Sequence, residues 1–142
     1  MNINAYLSVI RPDHWLKNIF ILFGHGVAVV LLGLLPSWQM GWMVLLSLVP
    51  ACFVASANYI INEILDAPYD RLHPTKKHRS VASGEAKESV LWVLFVVFLV
   101  LGFVVAWPFF NAAYLISLLL LFLSGLVYNV PPVRLKDRAF LD

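Results

Sequence analysis

Two windows of 45 residues, Asn18–Asn62 and Ser89–Val133, contain no Asp, Glu, Lys or Arg. All 18 acidic and basic residues lie outside them. As a single helix each window would run about 67 Å, more than twice the roughly 30 Å hydrocarbon thickness of a bilayer. Each must therefore fold back once, and the breaks stand at Leu35-Pro36-Ser37 and Trp107-Pro108-Phe109-Phe110-Asn111. Four spans result, near 16–35, 41–62, 90–108 and 112–128, with a charged loop at 63–89 between the second and third. Only helices and closed barrels satisfy the backbone in lipid, and spans this long and apolar are helices. The expected fold is an all-α polytopic membrane bundle of two helical hairpins. A hydrophobic content of 61% against 13% charged excludes an ordinary soluble domain, where roughly 45–50% and 25% are usual.

Arg11 and Lys17 precede the first span; Arg71, Lys76, Lys77, Arg79 and Lys87 separate the second from the third; Arg134, Lys136 and Arg138 follow the fourth. The hairpin tips carry no basic residue, so the positive-inside rule puts both chain ends and the central loop in the cytoplasm. Trp15, Trp38, Trp42, Trp92 and Trp107 fall near span ends, the depth at which amphipathic rings settle. The first ten residues lack the basic start of a cleavable signal. The net charge of +2 follows from topology and does not point to nucleic acid. The single Cys52 allows no intrachain disulfide.

The densest charge falls at Asn62–Arg79. Asn62, Asp66 and Asp70 are spaced i, i+4, i+8, which stacks them on one helical face, and Glu63 stands three residues before Asp66. Carboxylates and an amide at a helix end offer hard oxygen ligands of the kind Mg²⁺ uses together with substrate phosphates. Pro68 cannot donate a backbone hydrogen bond and is expected to kink or end this helix. Arg71, His73, Lys76, Lys77, His78 and Arg79 follow directly. Cations beside a carboxylate–metal site meet the needs of a diphosphate. The plainer reading, pairing in a solvated loop, is the stronger one for these basic residues taken alone, since topology already demands them, but it is weaker for Asn62 and Asp66, which stand at the membrane edge of an apolar span. Pro131-Pro132 stops the fourth span, and Arg134, Lys136 and Arg138 emerge on the same side as the acidic block.

Four segments in this order resemble the UbiA superfamily of intramembrane prenyltransferases: Arg11-Pro12-Asp13-His14-Trp15-Leu16-Lys17-Asn18, Ala57–Asp66 leading to Asp70, Asp70–Lys77, and Tyr128–Lys136. The family motif Asn-Asp-x-x-Asp-x-x-x-Asp reads here Asn62-Glu63-x-x-Asp66-x-x-x-Asp70. The resemblance implies transfer of a polyprenyl group from polyprenyl diphosphate to an unidentified acceptor in the membrane, as in lipid or quinone biosynthesis. It implies Mg²⁺ as cofactor, with Asn62, Glu63, Asp66 and Asp70 as metal ligands and Asp66 and Asp70 central to catalysis. Arg71, Lys77, Arg79, Arg134 and Lys136 would contact the diphosphate, and Tyr59, Tyr69 and Tyr128 are candidates to face a carbocation. The setting implied is the bacterial inner (plasma) membrane.

The resemblance also implies a bundle of about nine helices with a second aspartate motif, so the chain is expected to be the N-terminal half of such an enzyme. Completion would need a C-terminal half or self-association. Two other classes compete. Phosphatidyl-alcohol transferases also pair aspartates near the membrane edge, but their Asp-Gly opening and Ala-Arg pair do not precede Asp66 and Asp70. A non-enzymatic assembly or transport subunit would more often place ionisable groups at mid-membrane. Only His25, between two glycines, stands there, and it reads better as a packing residue than as a proton relay.

Overall fold

The computed structural model describes residues 2–138. It is helical: α1 (Ile3–Ile10), a 3₁₀ stretch (Pro12–Ile19), α2 (Phe20–Leu31), α3 (Trp38–Asp70), α4 (Glu88–Ala106) and α5 (Ala112–Asn129), with short 3₁₀ turns at Lys76–His78 and Leu135–Asp137. Four segments are long and apolar enough to cross a membrane, and the folding-back points are those expected from the sequence. Gly33, at φ 61°, turns the chain out of α2. Ser37 Oγ then accepts the Met40 amide at 3.2 Å to cap α3, and Asn111 Oδ1 accepts the Tyr114 amide at 3.1 Å to cap α5. Both side chains satisfy donors that the first turn of a helix leaves unpaired.

The first crossing is wound in two ways. Twelve α-helical residues rise about 18 Å, and eight 3₁₀ residues add about 16 Å. The tighter winding has a local cause. Residues three apart eclipse on a 3₁₀ helix, so Trp15 and Asn18 share a face toward α3. There Trp15 Nε1 donates to Ser56 Oγ at 2.9 Å, and Asn18 Nδ2 reaches Cys52 Sγ at 3.2 Å. Ser56 Oγ in turn donates to the Ile10 carbonyl at 3.0 Å. Polar links of this kind fasten helices where lipid supplies no hydrophobic drive between them.

Helix α3 is the central pillar. Helices α4 and α5 both lie along it and meet each other only sparsely, as where Phe95 and Phe122 sit 6.1 Å apart. Gly102 of α4 lets α3 approach closely: a Cβ there would lie 2.8 Å from Val54 Cγ2 and 3.3 Å from the Pro50 carbonyl. One apolar core sits at the charged end, where Val9 and Ile10 of α1, Ile60, Ile64 and Ala67 of α3, Val81 of the loop and Leu91 of α4 are buried together. A smaller one lies deeper, around Ala51, Val54, Ala106 and Leu118. Outward faces remain apolar, with Phe20, Val30, Val104 and Leu120 exposed as lipid-facing residues are.

Helix α1 was not among the expected elements. Its buried residues Ala5, Tyr6, Val9 and Ile10 form a stripe of helical period, which lays it on the charged end of α3. The helix also passes Pro68 without the break anticipated there and ends two residues later at Asp70. Ile64 and Ala67 are buried in the charged-end core, which holds the last turn in place, and the Arg71 amide still reaches the Ala67 carbonyl at 3.1 Å. The carboxylates therefore stand on helix, not on loop.

Candidate functional site

The final two turns of α3 carry Asn62, Asp66 and Asp70 on one wall of a cavity of about 450 Å³. The chain beyond α5 turns back toward them. The Arg134 amide bonds the Val130 carbonyl at 3.0 Å, and Arg134 itself takes the left-handed region at φ 34°. Arg11, at φ 53° after α1, is the other non-glycine residue with positive φ among those described. Such conformations are costly for side-chain-bearing residues and tend to gather at functional sites. Both arginines line this cavity, with Lys76, Arg79 and Lys136.

The acids and bases are already engaged. Lys136 Nζ donates to Asp66 Oδ1 at 2.6 Å and Arg134 Nη2 to the same oxygen at 3.1 Å. Arg79 Nη1 donates to Asp70 Oδ2 at 2.8 Å. Arg134 also lies over the Tyr69 ring at 4.6 Å, and its Nε stands 2.6 Å from Asp137 Oδ2 as an ion pair without hydrogen-bond alignment. Asn129, only 3% exposed, accepts Lys136 Nζ at 3.0 Å and the Asn62 amide on its Oδ1, while its own Nδ2 donates to the Gly125 carbonyl at 2.9 Å. Among the lining residues, five cations face three carboxylates, so the cavity keeps an excess of positive charge suited to a polyanion.

Not every residue singled out from the sequence reaches this cavity. Glu63 is buried at 7% exposure and turns to Arg11, with Nη2 and Oε2 3.9 Å apart, and it does not line the cavity wall. Arg71 pairs with Glu88 at 3.3 Å on the surface, both side chains about half exposed. Lys77 is exposed and also lies outside; its neighbour Lys76 is the one that faces in. Arg11 and Asn129 were not identified as site residues, and Lys76 was named only among the cations after the carboxylates and not as a diphosphate contact. Lys76 and Lys77 cannot be told apart by spacing in a loop, and Asn129 gains its place only through the fold. Arg11 had a signal, for it directly follows the apolar stripe of α1.

A second, more apolar cavity of about 510 Å³ continues from the first along α3 and α5. Asn62 and Tyr128 border both, and Asn58, Tyr59, Ser124 and Gly125 line its deeper part. The arrangement joins a cationic chamber at the charged end to a groove between two spans, the layout an amphiphile with an anionic head would need. Among the described residues no three Asp, Glu, His or Cys side chains converge to hold a metal unaided. Two carboxylates and an amide face one chamber, however, and that donor set fits a hard ion sharing its coordination with phosphates and water. The Lys136 ammonium at Asp66 shows that a cation is accommodated there.

The sequence profile of the UbiA prenyltransferase family matches residues 17–142. Over 101 residues the chain is 36% identical to a decaprenyl-phosphate phosphoribosyltransferase of Mycobacterium tuberculosis, covering 68% of this chain and 31% of that protein. It is 40% identical over 85 residues to the nodulation protein NoeC of Azorhizobium caulinodans, covering 56% and 24%. It is 34% identical over 80 residues to a probable homogentisate phytyltransferase of rice, covering 54% and 20%. The matched segments amount to about a third or less of the length of these curated relatives. With the four membrane-crossing helices and the profile match over most of its length, the chain belongs to the UbiA prenyltransferase family.

Proposed function

We propose that this chain binds the diphosphate end of a polyprenyl diphosphate, for Mg²⁺-dependent transfer of the polyprenyl group to an acceptor within the membrane. The observation that carries the reading is the chamber itself, where Asn62, Asp66 and Asp70 on one wall meet Lys76, Arg79, Arg134 and Lys136 and the space opens into the groove between α3 and α5. Asp66, Asp70 and Asn62 would hold the metal. When bound, it would supply positive charge that stabilises the departing diphosphate.

The protein's own groups have separable tasks. Lys136 and Arg134, which neutralise Asp66, line the chamber and would contact the phosphate oxygens of a bound diphosphate. Arginine offers a planar fork for phosphate and lysine a compact charge. Arg79 and Lys76 close the loop side of the chamber. Pre-placed positive charge stabilises a departing diphosphate most where water is excluded, and the groove supplies such a path for the chain. Tyr59 and Tyr128 border that groove, and their ring faces could stabilise an allylic cation. Arg71 and Lys77 point elsewhere, so the reading rests on the other four cations.

A second reading is favoured by the likeness to decaprenyl-phosphate phosphoribosyltransferases: transfer of a phosphoribosyl group to a polyprenyl phosphate. One experiment addresses both. The protein in lipid nanodiscs is titrated with radiolabelled polyprenyl diphosphate and, separately, polyprenyl monophosphate, with and without Mg²⁺. Tighter binding of the diphosphate, dependent on Mg²⁺ and weakened about tenfold or more by Asp66→Asn, is expected; second-sphere losses at metal sites already reach 10- to 100-fold. Preference for the monophosphate would favour the second reading. Binding indifferent to Mg²⁺ and to Asp66→Asn would remove the metal site.

A further inference from the structure

We propose that Asn129 is a positioning residue that fixes the side-chain amide of Asn62 with its oxygen toward the chamber, making Asn62 an oxygen ligand instead of a nitrogen donor. This rests on the metal-site reading above. An asparagine amide presents an acceptor at one end and two donors at the other, and which end faces a ligand is decided by its hydrogen-bond neighbours. Here those neighbours can be followed to groups that leave no choice. The Gly125 carbonyl can only accept, so it takes Asn129 Nδ2, at 2.9 Å. The Lys136 ammonium can only donate, so it takes Asn129 Oδ1, at 3.0 Å.

Both ends of Asn129 are thereby assigned, and its Oδ1 faces Asn62. Asn62 must answer with Nδ2, the hydrogen bond the structure shows. Its Oδ1 is thereby the other end of the amide, on a residue that borders the chamber. Asn129 is 3% exposed, so water does not compete for these contacts. The same Oδ1 ties Lys136 to the Asn62–Asp66 wall. One buried amide at the end of α5 thus sets the polarity of a ligand on α3 and the reach of a cation in the tail. Nothing in the sequence spacing, 67 residues between the two asparagines, announces this.

The test follows from the polarity argument. Mn²⁺ is titrated into the protein in nanodiscs, and free ion is read by electron paramagnetic resonance. Asn129→Ala should weaken Mn²⁺ binding about 10- to 100-fold, the range found when groups orienting metal ligands are removed. Asn129→Asp, which keeps an acceptor for Asn62 Nδ2 and Lys136, should lose less. The deciding variant is Asn62→Asp, whose carboxylate offers oxygen whichever way it turns. In that background Asn129→Ala should cost under threefold, because no amide remains to be oriented. An equal loss in both backgrounds would make Asn129 a structural residue only and overturn the proposal. An undiminished affinity in Asn129→Ala alone would overturn it as well, while the metal-site reading survived. Failure of the unsubstituted protein to bind Mn²⁺ would remove that reading, and this inference with it.

Discussion

Asp70 and Arg71 are neighbours in the chain with opposite surroundings. Asp70 is 5% exposed and bonded to Arg79 at 2.8 Å, whereas Arg71 meets Glu88 at 3.3 Å with both side chains about half in solvent. Removing one partner of a buried charged pair strands the other, and a hydrogen bond to a charged group contributes about 1.5–3 kcal/mol. Asp70→Asn should therefore lower unfolding stability in detergent by about 1–3 kcal/mol, toward the lower end because Arg79 keeps some access to water. Arg71→Ala should change stability by no more than about 0.5 kcal/mol and leave diphosphate-lipid binding intact. A large loss of binding in Arg71→Ala would bring that side chain back into the site. The i, i+4, i+8 spacing made Asn62, Asp66 and Asp70 legible, because a helix converts spacing directly into a shared face. It could not show that Glu63, one position on, is turned into the protein toward Arg11. Nor could it show that Asn129 lies against Asn62, since both facts depend on how α1 and α5 pack on α3.

At the level of elements, the placement of α5 depends on a missing side chain. A Cβ on Gly125 would lie 2.2–2.4 Å from the Asn58 amide atoms, and that amide donates to the Leu121 carbonyl at 3.0 Å. Gly125→Ala would have to push the Asn58 amide aside and break its link to the Leu121 carbonyl of α5. Overpacking of this kind costs about 1–3 kcal/mol, partly offset by about 1 kcal/mol from alanine's better helix propensity. A net destabilisation is expected for Gly125→Ala, with recovery in Asn58→Ala/Gly125→Ala, where the clash is gone; additive losses in a double-mutant unfolding cycle would refute the contact. Span positions were readable because absence of charge over a long window admits few structures. The continuity of α3 through Pro68 was not, because the proline rule describes a local preference and the buried Ile64 and Ala67 override it from outside the segment. Helix α1 was overlooked although its apolar period is present, being short and masked by the larger signal of the span behind it.

For the whole molecule, the deciding asymmetry is that the ten Lys and Arg residues gather at the same ends of the crossing helices as the chamber, with Lys17 in the 3₁₀ start of the first crossing and the other nine outside the crossings. A basic residue near an anionic cytoplasmic leaflet gains ~1 kcal/mol, and the insertion bias counts such residues in short loops. The opposite end presents only the tips at 32–37 and 107–111, with no charge to hold them back. The chamber is thereby predicted to face the cytoplasm, where water-soluble diphosphate could leave and a divalent cation is available. Cysteine labelling in intact cells checks this, and the native Cys52 is buried at 7% exposure, which keeps the background low. Leu35→Cys, at a tip position 88% exposed, should react with a membrane-impermeant maleimide added outside. Lys77→Cys should react only after the cells are opened. The reverse pattern would place the cationic chamber outside the cell, and the transfer proposed above would then need its diphosphate lipid delivered to the outer leaflet.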